Sequence, residues 1–282
     1  MHSLFCFFAV YLSFNIEMNK HSNPIGIFDS GVGGTSIWKE IHKLLPLENT
    51  IYLADSSNAP YGEKSAEDIL QLSIKNTELL LRYNCKLIVV ACNTATTNAI
   101  EYLRATYKDV SFIGIEPAIK PAVLQSNSKT VGVLATKGTL SSSLFHSTVK
   151  NHAEGIKIIE KEGVGLVPLI EAGKASSKEI KEVLIALLEP MLSQNIDYLV
   201  LGCTHYPYLI PVLKELLPAH VNIIDSGEAV AKQTKAVLVK DAILLTKNLK
   251  PTHQFYTNAD VVILKSFLKD VGDKLCVDFL NF

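Results

Sequence analysis

The chain has no CxxC pair and no zinc-like cysteine and histidine spacing, and it holds only five cysteines in 282 residues. An odd count without such spacing argues against a disulfide framework and for free thiols in a reducing compartment. A surplus of charge is missing as well: 27 basic residues against 28 acidic ones leave a formal net charge of -1. Without the basic footprint of a nucleic-acid binder, the chain fits a small polar ligand better. Nor is there a membrane span. The apolar run from Leu4 to Phe14 is too short to cross a bilayer. It resembles the core of a signal peptide, yet no Lys or Arg precedes it and no small-x-small cleavage site follows. Met18 stands shortly before the first expected strand at Ile25, so residues 1–17 are read as a non-structural tail.

What is present is an ordinary folding composition, 48% apolar and 20% charged, on a chain long enough for two domains. Short apolar runs alternate with longer helix-like segments: IGIF at 25–28, TIYLAD at 50–55, LIVVAC at 87–92 and SFIGI at 111–115. Continuous apolar strands of this kind predict parallel sheets covered on both faces. The pattern restarts with TVGVLA at 130–135, KIIE at 157–160, YLVLGC at 198–203 and VNIID at 221–225. IGIFDSGVGG at 25–34 resembles VGVLATKGTL at 131–140, and KLIVVACNTATTNAI at 86–100 resembles DYLVLGCTHYPYLI at 197–210. The expected fold class is therefore α/β: two doubly wound parallel-sheet domains related by approximate two-fold pseudosymmetry, with the active site in the cleft between them.

Cys92 ends a strand and is followed at once by Asn93, Thr94 and a helix-like stretch; Cys203 ends LVLGC before THYPYLIPVLKELL. At a helix N-terminus the dipole and free N–H groups lower a thiol from roughly 8.5 towards neutrality. Either cysteine alone reads as a small buried hydrophobe. As a pair at equivalent places in two repeats, with polar neighbours, they read as a site. Opposed thiols suit racemisation, in which one group removes a Cα proton and the other returns a proton to the opposite face. Asn93, Thr94 and Thr204 offer hydrogen bonds to a substrate carboxylate, and Asp29 and His205 are placed to assist proton movement at Cys92 and Cys203. The turn DSGVGG at 29–34, with Asp55 closing the next strand, mimics a dinucleotide site, but GVGGTS departs from GxGxxG at Ser36. A metal reading of Cys92, Cys203 and His205 lacks a fourth ligand. NAPYGEKS at 58–65 reads as a connecting turn, and Glu171 in EAGK as a residue near a helix start.

Taken together, IGIFDSGVGG, NAPYG, VVACNTAT and LGCTHYP resemble the four signature segments of the glutamate racemase family, in that family's order, and the similarity runs from about Pro24 to the end. The resemblance implies a cofactor-independent isomerase in which Cys92 and Cys203 exchange protons, Asp29 assists Cys92, and His205 and Glu171 assist Cys203. It implies substrate contacts from Asp29, Ser30, Tyr61, Gly62, Asn93, Thr94, Thr204 and His205, with Thr136 and Thr139 as weaker carboxylate contacts. It further implies a first domain of 24–115 plus 226–282, a second of 116–225, and a cytoplasmic enzyme supplying D-glutamate for peptidoglycan. The partner expected is small-molecule glutamate, with no cofactor, metal, nucleic acid or membrane, and the reading is compatible with a homodimer. The sequence departs from the family pattern at its N-terminal tail and at GGTS, where an apolar residue is common. An aspartate racemase, another two-cysteine racemase, and a non-catalytic acidic amino-acid binder on the same scaffold are the alternatives.

Overall fold

The computed structural model describes residues 21–248, 250–272 and 275–282; the expected tail at 1–17 lies outside the described residues. The first lobe is built on strands β1 (Ile25–Asp29), β2 (Thr50–Ala54), β3 (Leu87–Val90) and β4 (Ser111–Gly114). The second follows with β5 (Thr130–Ala135), β6 (Lys157–Glu162), β7 (Tyr198–Gly202) and β8 (Asn222–Ile224). The chain then returns to the first sheet with β9 (His253–Thr257) and β10 (Leu275–Phe279). Every strand pairing is parallel, in the orders β10-β9-β2-β1-β3-β4 and β6-β5-β7-β8.

Strip β9 and β10 from the first sheet and the two orders coincide, β1 matching β5, β2 matching β6, β3 matching β7 and β4 matching β8. The repeat legible in the sequence is thus a repeat of topology. The central strands earn their place by composition: IGIFD, TIYLA, LIVV and TVGVLA are buried at every residue. Strand β6, an edge, is largely uncovered and reads KIIEKE.

Helices cover both faces. Helix Thr35–Leu44 buries Ile37, Trp38 and Ile41 on one stripe, the spacing of a one-sided helix. Helix Ala66–Arg82 starts where the Ser65 hydroxyl accepts the Asp68 N–H at 3.1 Å, with Glu67 and Asp68 in its first turn and Arg82 in its last. Both arrangements complement the helix dipole. One cluster of buried apolar side chains runs from Trp38 and Ile113 in the first lobe to Leu134, Leu166 and Tyr206 in the second, so the lobes share a core. Among the described residues no helix is long and apolar enough to cross a membrane.

Candidate active site

In an open parallel sheet the crevice for a ligand lies at the strand C-termini where the winding reverses. In the first sheet that point lies between β1 and β3; in the second, between β5 and β7. Asp29 ends β1, and Cys92 comes two residues after β3; Thr136 follows β5, and Cys203 follows β7. The four residue positions face a shared crevice because the two lobes present equivalent ends to each other.

On the first side, Cys92 is the N-cap of helix Asn93–Thr106, as its sequence position predicts. Its sulfur accepts the Ala95 N–H at 3.5 Å and donates to the Ser30 hydroxyl at 3.6 Å. The expected fall of its pKa does not occur. Burial, and next the nearby charge of Asp29, push the Cys92 thiol up, outweighing the hydrogen bonds that favour a thiolate. Asp29 is itself fully buried. Its Oδ2 accepts the Gly34 N–H at 2.8 Å and the Gly31 N–H at 3.3 Å, and its Oδ1 accepts the Thr204 hydroxyl of the other lobe at 3.3 Å. Burial raises the Asp29 carboxyl despite the opposing pull of His205.

On the second side, Cys203 lies 3.7 Å from His205 Nδ1, and His205 Nε2 lies 2.5 Å from Glu171 Oε1. Burial alone would lower the imidazole, but hydrogen bonds to Cys203 and Glu171 and the charge of Glu171 overcome it and hold His205 well above its usual range. Both ring nitrogens of His205 are thus engaged, Nδ1 by the Cys203 sulfur and Nε2 by the Glu171 carboxylate. Two expectations are corrected here. Glu171 is the last residue of the short helix Leu166–Glu171 rather than near a helix start, and its carboxylate reaches into the first lobe. There it accepts the Val32 N–H at 2.7 Å and the Ser56 hydroxyl at 3.2 Å. Cys203 is not followed directly by an α-helix: a 3₁₀ turn, Tyr206–Leu209, intervenes before helix Ile210–Leu216, because Pro207 and Pro211 interrupt the backbone donors.

The glycine turn also has a structural reason. A Cβ on Gly31 would collide with the Glu171 carboxylate, and one on Gly33 with the His205 imidazole. The turn is bare so that the second lobe can close onto it. Asp55, the other half of the dinucleotide mimic, has both carboxylate oxygens engaged by protein donors.

Ser30, Tyr61, Gly62, Cys92, Asn93, Thr94, Cys203, Thr204 and His205 line one cavity between the lobes, joined by Thr136. Asp29 and Glu171 stand behind that lining; Thr139 backs Thr136 at 3.1 Å, and Thr136 in turn meets Thr94 at 2.9 Å. Neither polar atom of the buried Asn93 amide has a protein partner. Such an orphan costs about 1–3 kcal/mol unless a ligand satisfies it, and both Asn93 atoms are open to a polar group. The cavity volume is about 10 Å³, the room of roughly one water, so the described conformation is closed. A much larger cavity of about 790 Å³ opens between helices Thr35–Leu44 and Gly227–Lys240 and the Tyr206–Leu209 turn, and none of the expected proton-transfer or substrate-contact residues lines it. Size does not locate the chemistry. Sequence reasoning missed Val32, whose backbone holds Glu171, and the hydrogen bond of 2.5 Å between Thr35 and Tyr208 across the lobes. The only signal for the latter was the polar residue at GGTS.

Residues 26–234 match the Asp/Glu/hydantoin racemase family. A glutamate racemase of Ectopseudomonas mendocina is 43% identical over 251 residues, 89% of this chain and 95% of that protein. The crystal structure of glutamate racemase isoform RacE1 from Bacillus anthracis superposes with a TM-score of 0.82 at 30% identity, covering 92% of this chain and 97% of that one. The Escherichia coli glutamate racemase in complex with L-glutamate and the activator UDP-MurNAc-Ala gives 0.79 at 33% identity, covering 91% and 99%. With its repeated sheets, its closed inter-lobe cavity and these matches along most of its length, the chain belongs to the Asp/Glu/hydantoin racemase family.

Proposed function

We propose that the chain is a glutamate racemase that interconverts L- and D-glutamate without a cofactor, with Cys92 and Cys203 as the two proton-transfer groups. The observation that carries this reading is the placement of the two sulfurs after equivalent strands of two repeated sheets, both lining one cavity. A thiolate on one side takes the Cα proton, forming its S–H bond and leaving the electron pair on Cα. The thiol on the other side then delivers its proton to the opposite face of Cα and becomes a thiolate. The roles exchange when the substrate enters in the other hand.

The surroundings suit this exchange differently on each side. Cys92 is held towards the thiol form by burial and by the charge of Asp29, the carboxylate assigned to assist it. At Cys203 the His205 ring faces the sulfur, and its contacts with Cys203 and Glu171 orient it and hold its pKa well above the usual range. Asn93, Thr94 and Thr204, with Ser30, supply the polar lining for the substrate's carboxylates and amine, and Tyr61 and Gly62 form the wall beside them. Excluding water from so small a cavity strengthens each of these interactions. The names of the curated relatives favour glutamate as the substrate. The same reading carries the cytoplasm as the setting and supply of D-glutamate to peptidoglycan as the role. It also takes 24–115 with 226–282 as one domain and 116–225 as the other, a division supported by β9 and β10 joining the first sheet.

The test is incubation with L-glutamate in D2O, adding no pyridoxal phosphate or metal, while following circular dichroism and deuterium at Cα. Decay of the optical signal with Cα deuteration is the expected result. Cys92→Ala and Cys203→Ala should each lower turnover by at least about 10² to 10⁴; near-normal racemisation by either variant would sink the two-base mechanism. Activity on aspartate alone would keep the chemistry and change the substrate.

A further inference from the structure

Asp55 follows β2 directly, is fully buried, and is not among the residues assigned to the reaction. A carboxylate in such a place is tolerated only when its oxygens are well supplied with donors. Its Oδ1 accepts from Asn58 Nδ2 at 2.8 Å and Asn258 Nδ2 at 2.5 Å, with Lys75 Nζ at 3.8 Å. Its Oδ2 accepts the Tyr61 hydroxyl at 2.5 Å and Asn76 Nδ2 at 3.5 Å, and Asn76 also donates to the Tyr61 oxygen at 3.1 Å. These donors come from three separate parts of the fold: the 56–63 segment itself, helix Ala66–Arg82, and the end of β9.

The last of these follows from sheet register. Ala54 of β2 pairs with Thr257 of β9, so the next residues of the two strands, Asp55 and Asn258, fall side by side. Asn258 then fastens the same segment a second time, its Oδ1 accepting the Ser57 N–H at 2.9 Å. Tyr61 is the link to the cavity. Its hydroxyl is spent on Asp55, while its ring lines the space beside Cys92. On the far side of the turn there is no slack either, since a Cβ on Gly62 would lie 2.9 Å from Thr136 Cβ of the other lobe.

We infer that Asp55 is a positioning residue for the reaction proposed above: by tying Tyr61 and Asn58 to Asn258, it fixes the wall formed by Pro60, Tyr61 and Gly62 against Cys92. This rests on the racemase reading for its kinetic consequence, but its geometric consequence does not. Among the described residues the second sheet has no strand beyond β6. The strand pair β9–β10 therefore braces one wall of a pseudosymmetric site whose other half has no such brace.

The test is Asp55→Asn, which keeps shape and removes the charge that holds the donors together. KM for both enantiomers should rise at least about tenfold, the scale of one lost hydrogen bond to a buried charge, with kcat changed far less. Tyr61→Phe should move KM in the same direction, and the double variant should show less than the sum of the two effects. A readout free of turnover is alkylation of Cys92, followed by peptide mass against the exposed Cys276 as internal reference. Release of the wall should speed modification of Cys92 relative to Cys276. Asn258→Ala, which leaves the carboxylate in place, serves if Asp55→Asn does not fold, with the same expected direction. A folded variant with wild-type KM overturns the inference, whatever its melting temperature. If the wild-type protein itself is inert towards glutamate, the racemase reading fails instead, and alkylation alone decides: faster modification of Cys92 supports the positioning role, and an unchanged rate overturns it.

Discussion

Gly33 illustrates how a single residue in this protein answers to a partner far along the chain. Its missing side chain is filled by the His205 imidazole, and that of Gly31 by the Glu171 carboxylate. Gly33→Ala should therefore displace an imidazole ring that is already fixed by Cys203 and Glu171. A shift of the order of 1 Å at a reacting group costs on the order of 10² in rate. The expected outcome is a fall in kcat/KM of about that size with secondary structure intact by circular dichroism; full activity would show that the lobes approach less closely than described. Local reasoning ran out at residue scale for Cys92 too. Its helix N-terminus was legible in the sequence, and the hydrogen bond from Ala95 is there. Its protonation was not, because burial and the charge of Asp29 decide it, and neither is written in the neighbouring residues.

Among elements, the added strand β9 carries a buried histidine against the helix that follows the glycine turn. His253 shares the Thr50 hydroxyl with Trp38, at 2.9 Å from each, and lies edge-on to His42, which stacks on Trp38 at 4.9 Å between ring centroids. Burial, with a smaller contribution from His42, pushes His253 down to about 4, and burial also lowers His42. A histidine whose folded pKa is depressed takes up protons on unfolding. Its stabilisation is intact above the unfolded value of roughly 6.5 and is lost progressively as pH falls from there towards about 4. Melting temperatures measured from pH 7 to pH 4 should fall, and His253→Gln should flatten that fall; an identical slope in the variant would place the acid sensitivity elsewhere. Element boundaries near the cysteines were only half legible. The strand ends were plain from apolar runs, but two prolines delay the helix after Cys203, and Glu171 turned out to end a helix rather than begin one.

For the molecule as a whole, the closed cavity sets the main constraint. A space of about 10 Å³ does not admit an amino acid, so the lobes must part for substrate to enter and close to exclude water. Polar contacts join the lobes in this closed form: Val32 N–H to Glu171, Thr204 to Asp29, and the Ser36 hydroxyl to the Thr204 carbonyl at 2.9 Å. A ligand bound in the closed form should therefore stabilise the protein by mass action, by about 2.7 kcal/mol at a hundredfold excess over Kd. A Cys92→Ala, Cys203→Ala double variant, unable to turn over, should keep a glutamate-dependent rise in melting temperature; no rise would mean that the thiols are needed for binding as well as for chemistry. The sequence by itself determined the α/β class, the repeat, and the placing of both cysteines at the ends of equivalent strands, because apolar runs and turn residues are local signals. Only the tertiary structure decided that these ends face one closed cavity, that Glu171 reaches Val32 across 139 positions, and that Asp55 is braced by Asn258 across 203. Those contacts depend on register between strands and on the packing of one lobe against the other, and no short window of sequence contains both partners.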